Sequence, residues 1–429
     1  MIATTTSIPS TQPDAFPGQV HTLSGGLTVI LHHIPTAAAV TCDVWVRTGA
    51  RTEPESLSGV SHFLEHMIFK GTEKLGPGVF DRQIEERGGA TNAATSQDYT
   101  HYYITVANRH FEESLPYLAE LVLNAAIPAD EFERERLVVL EEIRRSQDSP
   151  DRQAIELLCK TMYPTHPYGR PVLGTSESLL AMTPEQMRAY HRERYQPSAT
   201  TVIIVGGVPE TEMLAAVEHS FGNFAPAPGD VTQPRVAAPK APQPIVLERE
   251  LPRLEQARLM LAWLGAPFAQ IEDAIALEVL GVILSEGRTS RLVRNLREQK
   301  GWVRSVSAYY TPQQDAGLFV IAAQAETELL APVEQEIRVA LAEIIHEPVG
   351  ESELNRALRM LRNDFVFGTE SPAQLAGLYG YFNTLSTLDA VLAYPELLRK
   401  VTASDIERVA RTYLDPDKAV VLRLLPSTN

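Results

Sequence analysis

Residues 183–205 read TPEQMRAYHRERYQPSATTVIIV, and near the C-terminus residues 402–424 read TASDIERVARTYLDPDKAVVLRL. The two align without a gap, Pro197 over Pro416. Each opens at a threonine, runs through an amphipathic helical pattern, breaks at a proline and ends in a run of aliphatic residues, so each reads as helix, turn and strand. Upstream, a helical stretch ending in Ser149-Pro150 answers one ending in Ser371-Pro372. Repetition at this scale points to an internal duplication.

Between the copies, residues 223–244 (NFAPAPGDVTQPRVAAPKAPQP) cluster proline and lose apolar periodicity, the composition of a tether. The expected organisation is therefore a domain over 1–222, a linker over 223–244 and a duplicated domain over 245–429. In both halves, runs such as LTVILHHI, VTCDVWV, THYYITV, GLFVIAA and AVVLRLL read as strands, and stretches of 3.6-residue period between them read as helices. The expected fold class is α+β, with each half a mostly antiparallel sheet that packs helices on one face.

At 429 residues, with 44% hydrophobic and 21% charged residues, the chain can bury two cores, and disordered and collagen-like classes are excluded. A net charge of −16 argues against nucleic-acid binding and favours cationic partners or simple solubility. Cys42 and Cys159 lie far apart, so neither a disulfide scaffold nor a cysteine-ligated metal is expected. The first residues lack the pattern of a signal peptide and no apolar run is long enough to span a bilayer, so a soluble, cytoplasmic protein without membrane contact is the expectation.

The chemistry sits in SGVSHFLEHMIFKGTE, residues 58–73, where His62, Glu65 and His66 form H-x-x-E-H. Histidines four apart on a helix share a face about 6 Å apart along the axis, so both imidazoles can reach one ion. A catalytic zinc asks for three protein donors and an open position. The segment DEFERERLVVLEEIRRSQDSP supplies carboxylates, and its stripe Phe132, Glu135, Val139 and Glu142 turns both acids inward. Glu141 competes, but it falls near Arg134, Arg144 and Arg145 on a face that reads as solvated, which leaves Glu142 as the third donor. Of eleven histidines only His346 follows the tether, so a second site of this kind in the C-terminal half is not expected.

HFLEHMIFKGT (62–72), GGATNAATSQDYTHYYITV (88–106) and ERLVVLEEI (135–143) together resemble the pitrilysin, or inverzincin, zinc metallopeptidases, in particular the branch of the mitochondrial processing peptidases and their bacterial relatives. The resemblance implies one zinc per chain on His62, His66 and Glu142, Glu65 as general base, and Glu135 as a supporting catalytic-site glutamate. It places Asn92 near an edge strand on which a peptide substrate lies extended, where strand addition gives backbone affinity. A plain turn after Gly88-Gly89 is the other reading of Asn92. His101 reads as structural.

The family also carries an arginine and, seven residues on, a tyrosine that reach the substrate. In RTSRLVRNLREQKGWVRSVSAYY (288–310) Arg297 takes the arginine position, and the tyrosine position is Arg304, with Tyr309 and Tyr310 further along an expected strand. The departure implies a heterodimer in which a homologous subunit supplies the Arg/Tyr pair, with a homodimer as the alternative. The function so implied is a zinc endopeptidase acting on peptides or unstructured segments in an enclosed chamber. A non-catalytic core subunit of the same fold and a presequence-processing peptidase are the alternatives.

Overall fold

The computed structural model describes residues 4–5, 18–226, 236–252 and 254–427. Most of the N-terminal stretch read for a signal peptide, and residues 227–235 of the expected linker, lie outside the described residues. Strands β1 (Thr4–Thr5), β2 (Gln19–Thr22), β3 (Thr28–His33), β4 (Ala39–Val46), β5 (Ala90–Thr95), β6 (Thr100–Ala107) and β7 (Thr200–Gly206) form one sheet in the order β1-β2-β3-β7-β4-β6-β5. Strands β8 (Ile245–Leu251), β9 (Ala257–Gly265), β10 (Val303–Thr311), β11 (Gly317–Ala325) and β12 (Val420–Pro426) form a second in the order β10-β11-β9-β12-β8. Read from β8, the second sheet repeats β3-β7-β4-β6-β5 strand for strand. The repeat includes the parallel pair, β3 with β7 and β8 with β12; the other pairings are antiparallel. The fold is the duplicated α+β arrangement that the sequence implies.

The aligned segments fold alike for a local reason. Thr183 caps the helix Pro184–Arg194 through a reciprocal box with Gln186, and Thr402 caps Ala403–Tyr413 through one with Asp405. Each box satisfies amides that the first helical turn cannot bond itself.

In the first sheet α1 (Val60–Ile68), α2 (Val79–Glu85), α3 (Phe111–Leu123) and α4 (Ala129–Asp148) belong to one side. Val44 and Val46 of β4 and Tyr102 and Ile104 of β6 share a core with Phe63, Leu64 and Met67 of α1, Leu118 and Val122 of α3, and Phe132 and Val139 of α4. Strand alternation sends the intervening residues to the other side.

That other side of the first sheet is covered by a helix from the second half of the chain. The chain forms two units, one of residues 1–145, 170–235 and 368–392, the other of 146–169, 236–367 and 393–429. The helix Pro372–Leu385 belongs to the first unit and lies over β4 and β7, where the Tyr379 hydroxyl meets His32 Nδ1 at 2.9 Å and Asn383 donates to Thr201 at 3.0 Å. Helix α5 (Pro150–Met162) belongs to the second unit, where Ala154, Leu158 and Met162 join Met260, Val320 and Leu422 in a core. These are the two duplicated helices that follow Ser149 and Ser371, exchanged between the halves. Among the described residues no helix is long and apolar enough to cross a membrane.

Candidate metal centre

The centre begins before its helix. Glu53 is buried and accepts the backbone N–H groups of Gly59 and Ser61, each at 2.8 Å, so its carboxylate closes the start of α1. Gly59 has φ of 89°, and a Cβ there would lie 2.6 Å from the Leu173 carbonyl oxygen, so only glycine makes this entry. The Tyr190 hydroxyl then ties Ser61 (2.8 Å) to Thr48 (2.9 Å) in a buried network that fixes the first turn.

From that turn α1 presents His62 and His66, and α4 presents Glu135 and Glu142. The nearest Glu142 oxygen is 3.8 Å from His62 Nε2 and 3.7 Å from His66 Nε2. These separations are too long for hydrogen bonds. They are close to the roughly 3.4 Å between two donors that each sit about 2.1 Å from a shared tetrahedral ion. Within the trio the donor atoms all fall within 4.8 Å of one another. Two imidazole nitrogens and a carboxylate oxygen converging without bonding each other fit a zinc-like cation.

The surrounding charges prepare the donors. Burial, with the charge of His66, pushes the His62 imidazole down to about 3, so its lone pair stays free. His66 is fixed by its Nδ1, which donates to Glu135 at 2.8 Å and so turns Nε2 toward Glu142. Burial works against the His66 imidazolium, but the bond to Glu135 and the charges of Glu142 and Glu135 outweigh it and raise the pKa. Glu135 also holds Lys70 at 2.7 Å; burial opposes its ionisation, yet these two partners keep its pKa below the ordinary value.

Glu65 points from the same helix toward β5, where Thr95 donates to its carboxylate at 2.5 Å. Burial raises the Glu65 pKa against that bond, which leaves a base stronger than an exposed glutamate.

The other residues singled out in the sequence lie as follows. Glu141 is exposed and faces Arg144 and Arg145 at 3.5 and 3.6 Å, while Arg134 turns instead to Asp130 and Glu131. Asn92 is exposed on β5, the edge strand of its sheet, and accepts the Ala93 N–H. His101 is paired with the buried Asp43. Arg297 lies in the second unit, in the π-helical segment Val293–Gln299, and pairs with Glu298 at 2.8 Å. Arg304 is exposed where β10 slips its register against β11, between Val303 and Ser305. Tyr310 turns inward and donates to the Ala266 carbonyl, and Tyr309 turns outward. Burial raises both thiols, Cys159 to about 11, as inert packing cysteines require. Sequence reading passes over Glu53, Lys70, Thr95 and Asp43, none of which stands in a spacing that marks it.

Residues 28–176 match the family described as Insulinase (Peptidase family M16), and residues 181–361 match the Peptidase M16 inactive domain. An uncharacterized zinc protease of Bacillus subtilis, YmxG, is 30% identical over 95% of this chain and 98% of its own length. One of Mycobacterium leprae is 33% identical over 81% of this chain and 78% of its own. Among solved structures, a protease from Helicobacter pylori superposes with a TM-score of 0.90 at 26% identity, covering 95% of this chain and 99% of that one.

Proposed function

The chain belongs to the M16 peptidase family, and on that premise we propose that it is a zinc-dependent endopeptidase and the metal-bearing subunit of a heterodimer in the processing-peptidase-like branch. The observation that supports the reading is the convergence of His62, His66 and Glu142 beside Glu65, a half-buried carboxylate held by Thr95. A non-catalytic core subunit has no need of that arrangement.

His62, His66 and Glu142 would hold the ion, one per chain. When bound, zinc supplies Lewis acidity that activates water and polarises a carbonyl. Glu65 takes the proton from the attacking water and returns it to the departing amine, work for which burial and the Thr95 bond position it. Among the described residues β5 is an edge strand of its sheet, and such an edge can pair its backbone with an extended peptide, which supports strand addition beside Asn92.

The heterodimer rests on Arg304. A guanidinium at the position of an oxyanion-stabilising phenol changes both reach and geometry, and losing one such donor costs about 100- to 1000-fold. The purified chain should therefore bind zinc yet cleave an unstructured peptide slowly, and a homologous subunit bearing the Arg/Tyr pair should restore the rate.

Zinc content and hydrolysis of two variants in that complex test the site. Glu65→Gln should abolish cleavage with zinc retained, and Glu142→Gln should lose zinc. Loss of metal from Glu65→Gln but not from Glu142→Gln would overturn the assignment.

A further inference from the structure

The face of the first sheet that turns away from α1 carries two rows of side chains across three strands. Register sets Asp43, Tyr103 and Asn92 side by side in one row, and Trp45, His101 and Ala94 in the next. Trp45 is buried where Gly380 crosses it so closely that a Cβ would meet the indole at 2.1 Å. The His101 ring stacks on Trp45 with centroids 4.3 Å apart and planes at 29°, and on Tyr103 at 5.8 Å and 22°. Its Nδ1 lies 3.0 and 3.2 Å from the two oxygens of Asp43, a carboxylate only 2% exposed. The residues of the metal centre lie on the other face, where Thr95 meets Glu65, and only the charge of His101 acts on Glu65 across the sheet.

A buried carboxylate that holds one imidazole, and two rings stacked against that imidazole, fix an aromatic surface in place. It stops abruptly. Beyond His101 the row ends at Ala94, a small exposed residue on the last strand, and beyond Tyr103 the other row ends at the exposed Asn92. A strand added to β5 would run about 4.8 Å away, and its residue opposite Ala94 would continue the row of rings. Alanine leaves room for a large side chain there to lean back over the sheet, and an aromatic one can reach the offset contact, with centroids about 4.5–7 Å apart, that such rings prefer. Leucine offers similar apolar area without a planar face.

We propose that Asp43, His101 and Tyr103, on the sheet face opposite the metal centre, form a side-chain subsite that selects an aromatic residue in an extended peptide lying along β5. The inference rests on the reading of β5 as the substrate edge. Asp43 is a positioning residue, since it acts by holding the His101 ring, and the two rings are the selecting surface.

The test uses the zinc-loaded full chain carrying Glu65→Gln, so that peptides bind without being cut. Fluorescence anisotropy measures Kd for a set of labelled, unstructured peptides that differ at one position, scanned along the sequence, as tyrosine, phenylalanine, leucine or lysine. At one register the aromatic peptides should bind about five- to tenfold tighter than the leucine peptide. That ratio should fall to near one in His101→Leu and in Tyr103→Leu, each checked for an unchanged melting curve. Asp43→Ala should lose it as well, and Asp43→Asn, which still accepts the Nδ1 hydrogen bond, should keep most of it. If His101→Leu or Tyr103→Leu does not fold, the Asp43→Ala and Asp43→Asn pair decides. Peptides that bind with no aromatic preference, with a lysine preference, or with a preference indifferent to these variants overturn the subsite while leaving the strand-docking reading intact. Failure of every peptide to bind removes the docking reading, and the subsite with it.

Discussion

Thr95 holds the one carboxylate of the centre that is neither a metal donor nor, among the described residues, paired with a cation. The bond is short and its acceptor half-buried, so it sets where Glu65 can reach a water molecule. Thr95→Val keeps the shape and removes the donor. A hydrogen bond to a charged group contributes about 1.5–3 kcal/mol, so the variant should lose about tenfold or more in kcat with KM and zinc content unchanged, and Thr95→Ser should recover most of it. An unchanged kcat would mean that Glu65 is oriented by its helix alone. Residues of this kind explain what the sequence conceals. His62, Glu65 and His66 are legible because their spacing on one helix is a local property, and Glu142 because helical period puts it on the inward stripe of α4. Thr95, Asp43 and Glu53 act across strands and loops, where the partner depends on a register that no window of sequence contains.

Elements show the same division. The helices that follow Thr183, Ser371 and Thr402 announce themselves through capping boxes, which are written in four consecutive residues. Helix α1 does not, because its cap is Glu53, six residues ahead of Gly59 and folded back onto its amides. Removing that carboxylate should leave two buried donors unmet at about 1–3 kcal/mol each. Glu53→Ala is therefore expected to lower the melting temperature by several degrees and to weaken zinc retention, because α1 carries two of the three donors. Equal zinc affinity in a variant of lowered melting temperature would show that the cap supports the fold without ordering the centre. The segment Val293–Gln299 was less legible still. Its apolar spacing is that of an ordinary helix, and the wider π-helical turn is not written in it. The register shift at Arg304 likewise breaks the two-residue alternation by which strand residues are assigned a face.

At the scale of the whole molecule, duplication was readable and its consequence was not. Helices α5 and Pro372–Leu385 are copies of one another, each with an apolar face to bury. Periodicity states that such a face is covered but not by which sheet, and two homologous sheets offer the same kind of surface. The structure seats each copy in the unit built mainly from the other half of the chain. Limited proteolysis can register this exchange. The composition of residues 223–244 marks them as the preferred site of cleavage, so a denaturing gel should resolve two fragments of similar mass early in the digest. Both units draw segments from either side of that cut. The nicked protein should therefore elute as a single species under native conditions and unfold with one set of fragments holding the other. First cleavage inside 146–169 or 368–392 would contradict the packing of the exchanged helices, and spontaneous separation of the two fragments in native buffer would show that the exchange contributes too little to bind the halves of the chain together.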